Sequence, residues 1–108
     1  MLKASIITVC FNSSKTIIDC IKSVNIQTHQ NLEHIFIDSK STDETVNIIK
    51  KFSKREFSVV SEKDEGIYDA MNKGIKIASG NFICFLNSDD FYIYKNVIEI
   101  IAKKFEEN

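Results

Sequence analysis

The 108 residues contain no proline and only three glycines. Without them there is no stretch of the kind that links domains, and neither a low-complexity segment nor an internal repeat is visible. The chain reads as a single domain, 1-108, with room for one core. An excess of charge is also lacking, because 14 Lys and Arg face 15 Asp and Glu for a formal net charge of -1. That balance leaves no electrostatic footprint for nucleic acid or for an anionic membrane surface. No apolar run approaches the ~20 residues of a membrane-spanning helix, and the N-terminus lacks the basic-then-apolar order of a signal peptide. A soluble, cytoplasmic chain without a membrane span is therefore expected. Cysteine is scarce. Cys10, Cys20 and Cys84 are odd in number, none is spaced as C-x-x-C, and each lies in an apolar-patterned segment, which points to reduced, buried thiols. His29 and His34 have no cysteine or carboxylate at metal-ligand spacing and read as surface or strand-edge residues, so no structural zinc site is expected.

What is present is organised around one stretch, Asn81 to Asp90. Its apolar and aromatic run reads as a strand buried on both faces, since a parallel strand covered by helices has no solvated side to alternate toward. Asp89 and Asp90 follow at once. Two carboxylates there put hard oxygen ligands at the carboxyl edge of a sheet, where Mg²⁺ or Mn²⁺ could hold a diphosphate; the same pair also suits a solvated turn or a helix N-cap.

The rest of the chain alternates strand and helix. Ala4 to Cys10 is rich in β-branched residues and ends in Asn12-Ser13-Ser14, where Ser13 or Ser14 is expected to cap a helix carrying Ile17, Ile18, Ile21 and Val24 on one face through about Gln27. His34 to Ile37 is a second short buried strand running into Asp38. Ser41-Thr42-Asp43-Glu44 has the spacing of a capping box, which predicts a helix from about Thr42 with Val46, Ile49 and Phe52 buried and with Lys50, Lys51, Lys54 and Arg55 complementing its C-terminal dipole. Phe57 to Val60 is a weaker strand, placed near a sheet edge. Ile67, Met71, Gly74, Ile75 and Ala78 share a helical face, with Gly80 expected as a left-handed C-cap and Gly74 as a point of close backbone approach. Val97, Ile98, Ile101 and Phe105 mark a last helix. This order, with short connections and right-handed crossovers, predicts a doubly wound α/β fold with a mostly parallel sheet in the order 3-2-1-4 and helices on both faces. The switch point then falls between strands one and four, and the loops Cys10 to Ser14 and Asn87 to Asp90 share one crevice with Asp38 next door.

Four segments carry a resemblance: Ser5 to Asn12, Ile37 to Asp43, Glu65 to Ile75, and Gly80 to Asp90. In this order and spacing they resemble the successive motifs of family 2 glycosyltransferases of the GT-A type, over nearly the whole chain. The resemblance implies transfer of a sugar from a nucleotide diphosphate donor, here a UDP-sugar, to a saccharide or lipid-linked acceptor, with inversion. It implies that Phe11 and Asn12 offer a flat apolar surface and an edge contact to the base, that Asp38 accepts from base or ribose, and that Asp64 lies near the donor nucleotide. It further implies that Asp90 binds a divalent cation, Mn²⁺ or Mg²⁺, and that Asp89 serves the ribose or the metal. Lys63 could meet a phosphate. The chain departs from the common family pattern at Ser39 and Asn87, where many relatives carry an acid. The general base of the inverting reaction stands well downstream of the metal motif in the family, so it is expected beyond residue 108 and no catalytic residue is expected within the chain. The chain is expected to be the N-terminal donor and metal half of a longer transferase, one that could associate peripherally with the inner face of the cell membrane. A non-catalytic nucleotide-binding α/β module is the alternative. A receiver-like domain phosphorylated at Asp38 would need acids at the end of the first strand, and Val9-Cys10-Phe11-Asn12 stands there instead.

Overall fold

The computed structural model describes residues 1–107. Its elements are β1 (Ala4–Cys10), α1 (Ile17–Asn25), β2 (Leu32–Asp38), α2 (Thr45–Phe52), β3 (Glu56–Ser61), α3 (Ile67–Ile77), β4 (Phe82–Phe85) and α4 (Val97–Glu106). All strand pairings are parallel, in the order β3-β2-β1-β4. The weak third strand stands at the sheet edge, as its sparse apolar content leads one to expect.

The period of two along each strand sorts its side chains between two cores. On one face Ala4, Ile6 and Cys10 of β1 and Phe36 of β2 meet Ile17, Cys20, Ile21 and Val24 of α1, Ile49 of α2, and Ile98 and Ala102 of α4. On the other, Ile7 of β1 and Ile35 and Ile37 of β2 meet Ala70 of α3. Helices thus lie on both faces, three against one. Gly74 lets α3 approach closely, since a Cβ there would stand 2.6 Å from Ile7 Cγ2.

Several local expectations give way to longer-range contacts. No hydroxyl of Ser13 or Ser14 caps α1; the Ser13 carbonyl instead accepts the amides of Thr16 and Ile17 at 3.0 and 2.9 Å. The buried stripe of α1 includes Cys20 and leaves Ile18 half-buried. The helix α2 starts three residues later than the capping-box spacing implies, at Thr45, because the Ser41 hydroxyl is held by Asp38 and not by the helix. Arg55 lies past α2 and donates to the carbonyls of Val24, Gln27, His29 and Gln30, closing the C-terminal end of α1. In α3 the buried positions are Ala70 and Gly74, whereas Ile67 and Ile75 are exposed. Gly80 has no positive φ; it sits against β1, where its amide donates to Ser5 Oγ at 2.8 Å and a Cβ would meet the Lys3 carbonyl oxygen at 2.8 Å.

Two further expectations are corrected. β4 is an edge strand paired only with β1, so Ile83 and Phe85, on the same face as Ile7 but beyond the cover of α3, remain 37% and 44% exposed. His29 and His34 are buried: His29 Nε2 meets the Leu2 carbonyl at 2.7 Å, and His34 Nε2 lies 2.8 Å from Thr8 Oγ1. Burial pulls the His34 imidazole down to about 3, so it stays neutral in the folded protein. All three cysteines are free, Cys10 and Cys20 fully buried and Cys84 partly. No helix of the described residues is long and apolar enough to cross a membrane.

Candidate functional site

Strand register decides which loops meet. Cys10 pairs with Asp38, so the residues after β1 run directly alongside those after β2, while Ile7 pairs with Phe85 and brings the end of β4 to the other side of β1. Between these loops, at the carboxyl edge of the sheet and at the switch point, opens a crevice of about 610 Å³. One wall is Asn12 to Thr16 and Asp43, the other is Asn87, Ser88 and Asp89, and Ile67 at the start of α3 completes it. The walls touch where the hydroxyls of Ser13 and Ser88 stand 2.9 Å apart.

Asn12 holds its place in a left-handed conformation, φ 49°, which asparagine tolerates better than most residues. Its Oδ1 accepts from the amide of Thr42 at 2.8 Å, bolting the first loop to the second. Phe11 beside it is 59% exposed and therefore available as an aromatic surface, although it does not line the crevice itself.

Asp38 is fully buried and does not form part of the wall. Its carboxylate accepts from the Ser41 amide at 2.9 Å, the Ser41 hydroxyl, the Ser61 hydroxyl at 2.7 Å and the Cys10 thiol at 3.5 Å. Burial and the neighbouring Asp38 charge push the Cys10 thiol far above its ordinary range, so it is an inert thiol and not a nucleophile. Asp43 does reach the wall. Hydrogen bonds from Thr45 and Ser14 hold its carboxyl down at about 2, keeping it ionised.

Asp89 lines the crevice, and Asp90 is exposed next to it in the same turn. The Asp90 amide donates to the Asn87 carbonyl at 3.0 Å, and the Asn87 side-chain amide faces the Asp90 carboxylate at 3.4 Å. Neither carboxylate carries an ion pair with lysine or arginine among the described residues. Two exposed, adjacent oxygen donors suit a hard divalent cation that takes its other ligands from phosphate and water. A cage supplied by the protein alone is absent, as no group of three potential ligands converges among the described residues. Asp64 lies in the loop before α3, outside the crevice wall; one of its oxygens accepts the Gly66 amide at 3.1 Å, and the other is buried without a partner among the described residues. Lys63 offers its carbonyl to Lys73, whose ammonium also pairs with Glu62 at 3.1 Å.

The sequence-expected residues thus divide. Asn12 and Asp89 face one another across the crevice, with Phe11 and Asp90 flanking it, while Asp38 lies behind a wall and Asp64 beside the entrance to α3. Wall residues that sequence reasoning left out include Lys15, Asp43 and Ile67. The signal for Asp43 lay in the expected parallel pairing of β1 with β2, which obliges residues 11–14 and 39–43 to run side by side.

Comparison with known proteins agrees with this geometry. The family model described as "Glycosyl transferase family 2" matches residues 5–108. An uncharacterized glycosyltransferase of Rickettsia conorii is 45% identical over 108 residues, which cover 98% of this chain but 18% of that protein. The crystal structure of residues 1–349 of S. aureus TarS in complex with UDP-GlcNAc superposes with a TM-score of 0.91 at 30% identity, covering 98% of this chain and 32% of that one. A mannosyltransferase of Pyrobaculum calidifontis, in complex with GDP-Man and Mn²⁺, shares the fold with a TM-score of 0.88 at 19% identity, over 94% of this chain and 32% of that one. The chain therefore spans about a third or less of these proteins. The parallel 3-2-1-4 sheet, the crevice at its switch point and the match over residues 5–108 lead to one conclusion: this chain belongs to glycosyl transferase family 2.

Proposed function

We propose that the chain forms the donor-binding part of a glycosyltransferase that takes a nucleotide diphosphate sugar, with UDP as the nucleotide, and passes the sugar to a saccharide or lipid-linked acceptor with inversion. The observation that carries this reading is the crevice itself, with Asn12 on one wall and Asp89 on the other at the β1/β4 switch point. UDP-GlcNAc is bound by TarS, whose fold over this region is the same.

The crevice and flanking residues then have tasks suited to their chemistry. Phe11 offers an exposed aromatic face on which a base can stack. Asn12 has its oxygen engaged by the second loop, so its NH₂ group is the edge left for a base carbonyl. Asp64, outside the crevice wall with one oxygen held by the Gly66 amide and the other buried, is left without a contact to the donor. Asp89 and Asp90 are the carboxylates suited to Mn²⁺ or Mg²⁺, and a cation bound there would supply neutralisation of the charge that develops on the departing diphosphate. The general base and the acceptor surface are assigned to sequence beyond residue 108.

Calorimetry of the chain with UDP, with and without Mn²⁺, tests the proposal. Binding that strengthens at least tenfold with the cation is expected. Equal affinity in both conditions would remove the cation from the account, and no binding in either would leave a family 2 fold without a donor site.

A further inference from the structure

The amides of Asn12, Ser13 and Ser14 are consecutive, and all lie at the protein surface or close to it. None is left to solvent. The Asn12 amide donates to Ser41 Oγ at 2.8 Å, the Ser13 amide to Thr45 Oγ1 at 2.8 Å, and the Ser14 amide to Asp43 Oδ2 at 3.2 Å. Each accepting hydroxyl in turn donates to a carboxylate, Ser41 to Asp38 and Thr45 to Asp43. The pattern repeats along one segment: Asp38 with Ser41, then Asp43 with Thr45, two acids each orienting one hydroxyl toward one amide of the facing loop.

On the reading that this crevice binds the donor, we infer that Ser41 and Thr45 are positioning residues for it, oriented by Asp38 and Asp43, and that together they hold the Asn12 to Ser14 wall in the shape the nucleotide meets. A hydroxyl that donates to an ionised carboxylate has its hydrogen fixed in direction, so its lone pair points at the amide and the hydrogen bond is stronger than one to a free hydroxyl. Thr45 is fully buried, which removes water as a competitor for the Ser13 amide. The left-handed backbone at Asn12 needs such support, because an L residue holds that conformation only where its surroundings over-determine it. A wall fixed before the ligand arrives avoids the ordering cost that a mobile loop would pay at binding. Asp38 then acts through Ser41, since its carboxylate already receives four donors and has no exposed surface for a nucleotide. With these three amides engaged by the protein, residues 12–14 offer a ligand their side chains and no main-chain N–H.

Residue-resolved amide exchange by NMR on the 108-residue chain, without nucleotide, tests the pinning, and UDP titration with Mn²⁺ tests its consequence. Asn12, Ser13 and Ser14 should exchange slowly for surface residues. Ser41→Ala should speed exchange at Asn12, and Thr45→Val at Ser13, by about tenfold or more while the strand amides of β1 and β2 keep their rates. Both variants should weaken UDP by about three- to tenfold, and Ser41→Thr, which restores a hydroxyl, should recover both exchange and affinity. Fast exchange of the three amides in the unaltered chain, or acceleration that spreads equally through the sheet, would overturn the positioning role. Unaltered UDP affinity in both variants would overturn it as well. If the unaltered chain binds no UDP, the donor reading falls together with the affinity half of this inference, while the exchange data still decide whether the amides are pinned.

Discussion

His34 should make the protein lose stability as the pH falls from about 7.5 to 5. In an unfolded chain an imidazole titrates near 6.5, and burial pulls the folded His34 down to about 3. Between these values the unfolded state takes up a proton that the folded state refuses. The contribution of the neutral ring is therefore complete above about pH 6.5 and is lost as pH falls toward 3. From about pH 7.5 to pH 5 the loss amounts to about 2 kcal/mol, a figure that hardly depends on how far below 5 the folded value lies. Against a total of about 5–15 kcal/mol for an ordinary domain, this is easily measured. Asp43 and Glu33, both held below the usual carboxylate values, contribute above those values and are lost only below about pH 4.5, outside the window. For Glu33, burial opposes ionisation, but hydrogen bonds from the Ser5 hydroxyl and from the amide and hydroxyl of Ser79 outweigh it. Urea unfolding at several pH values, on the unaltered chain and on His34→Gln, measures the effect. Gln keeps a polar group within reach of Thr8 but does not titrate in this range, so the variant should show a flat response between pH 7.5 and 5 whatever its absolute stability. An unaltered chain equally stable at both pH values would refute the argument, as would a variant with the same slope.

Two substitutions probe the site and the packing that positions it. Asp90→Ala should abolish the cation dependence of UDP binding and leave the melting temperature nearly unchanged, because this exposed carboxylate supports no core contact; a fall as large as that of Ile6→Ala would make it structural. Gly74→Ala should lower stability by about 1–2 kcal/mol in denaturant unfolding although alanine favours helix, because the new methyl would lie 2.6 Å from Ile7 Cγ2 and force α3 away from β1; a gain in stability would show that Ile7 yields freely.

The alternation of elements was legible because it rests on local regularities. A run of β-branched residues at 4–10, a short apolar run at 34–37, and apolar stripes of helical period after each arise from the geometry of single elements and need no partner to be seen. The 3-2-1-4 order followed from right-handed crossovers together with the habit of doubly wound sheets to start at a central strand, and with it came the crevice between Asn12 and Asp89. Which hydrogen-bond partner a polar side chain takes was not legible in the same way. The spacing of Ser41 and Glu44 fits a helix cap, yet the Ser41 hydroxyl goes to Asp38 and its lone pair to the Asn12 amide, 29 residues away. Arg55 follows a lysine-rich helix end and serves a different helix. His34 is buried beside Thr8, and β4 lies open along one edge, for reasons that sit in other elements. A serine or arginine can satisfy a near acceptor or a distant one at similar free energy, so the choice falls to whichever the strand register brings within about 3 Å, and register is a property of the assembled sheet.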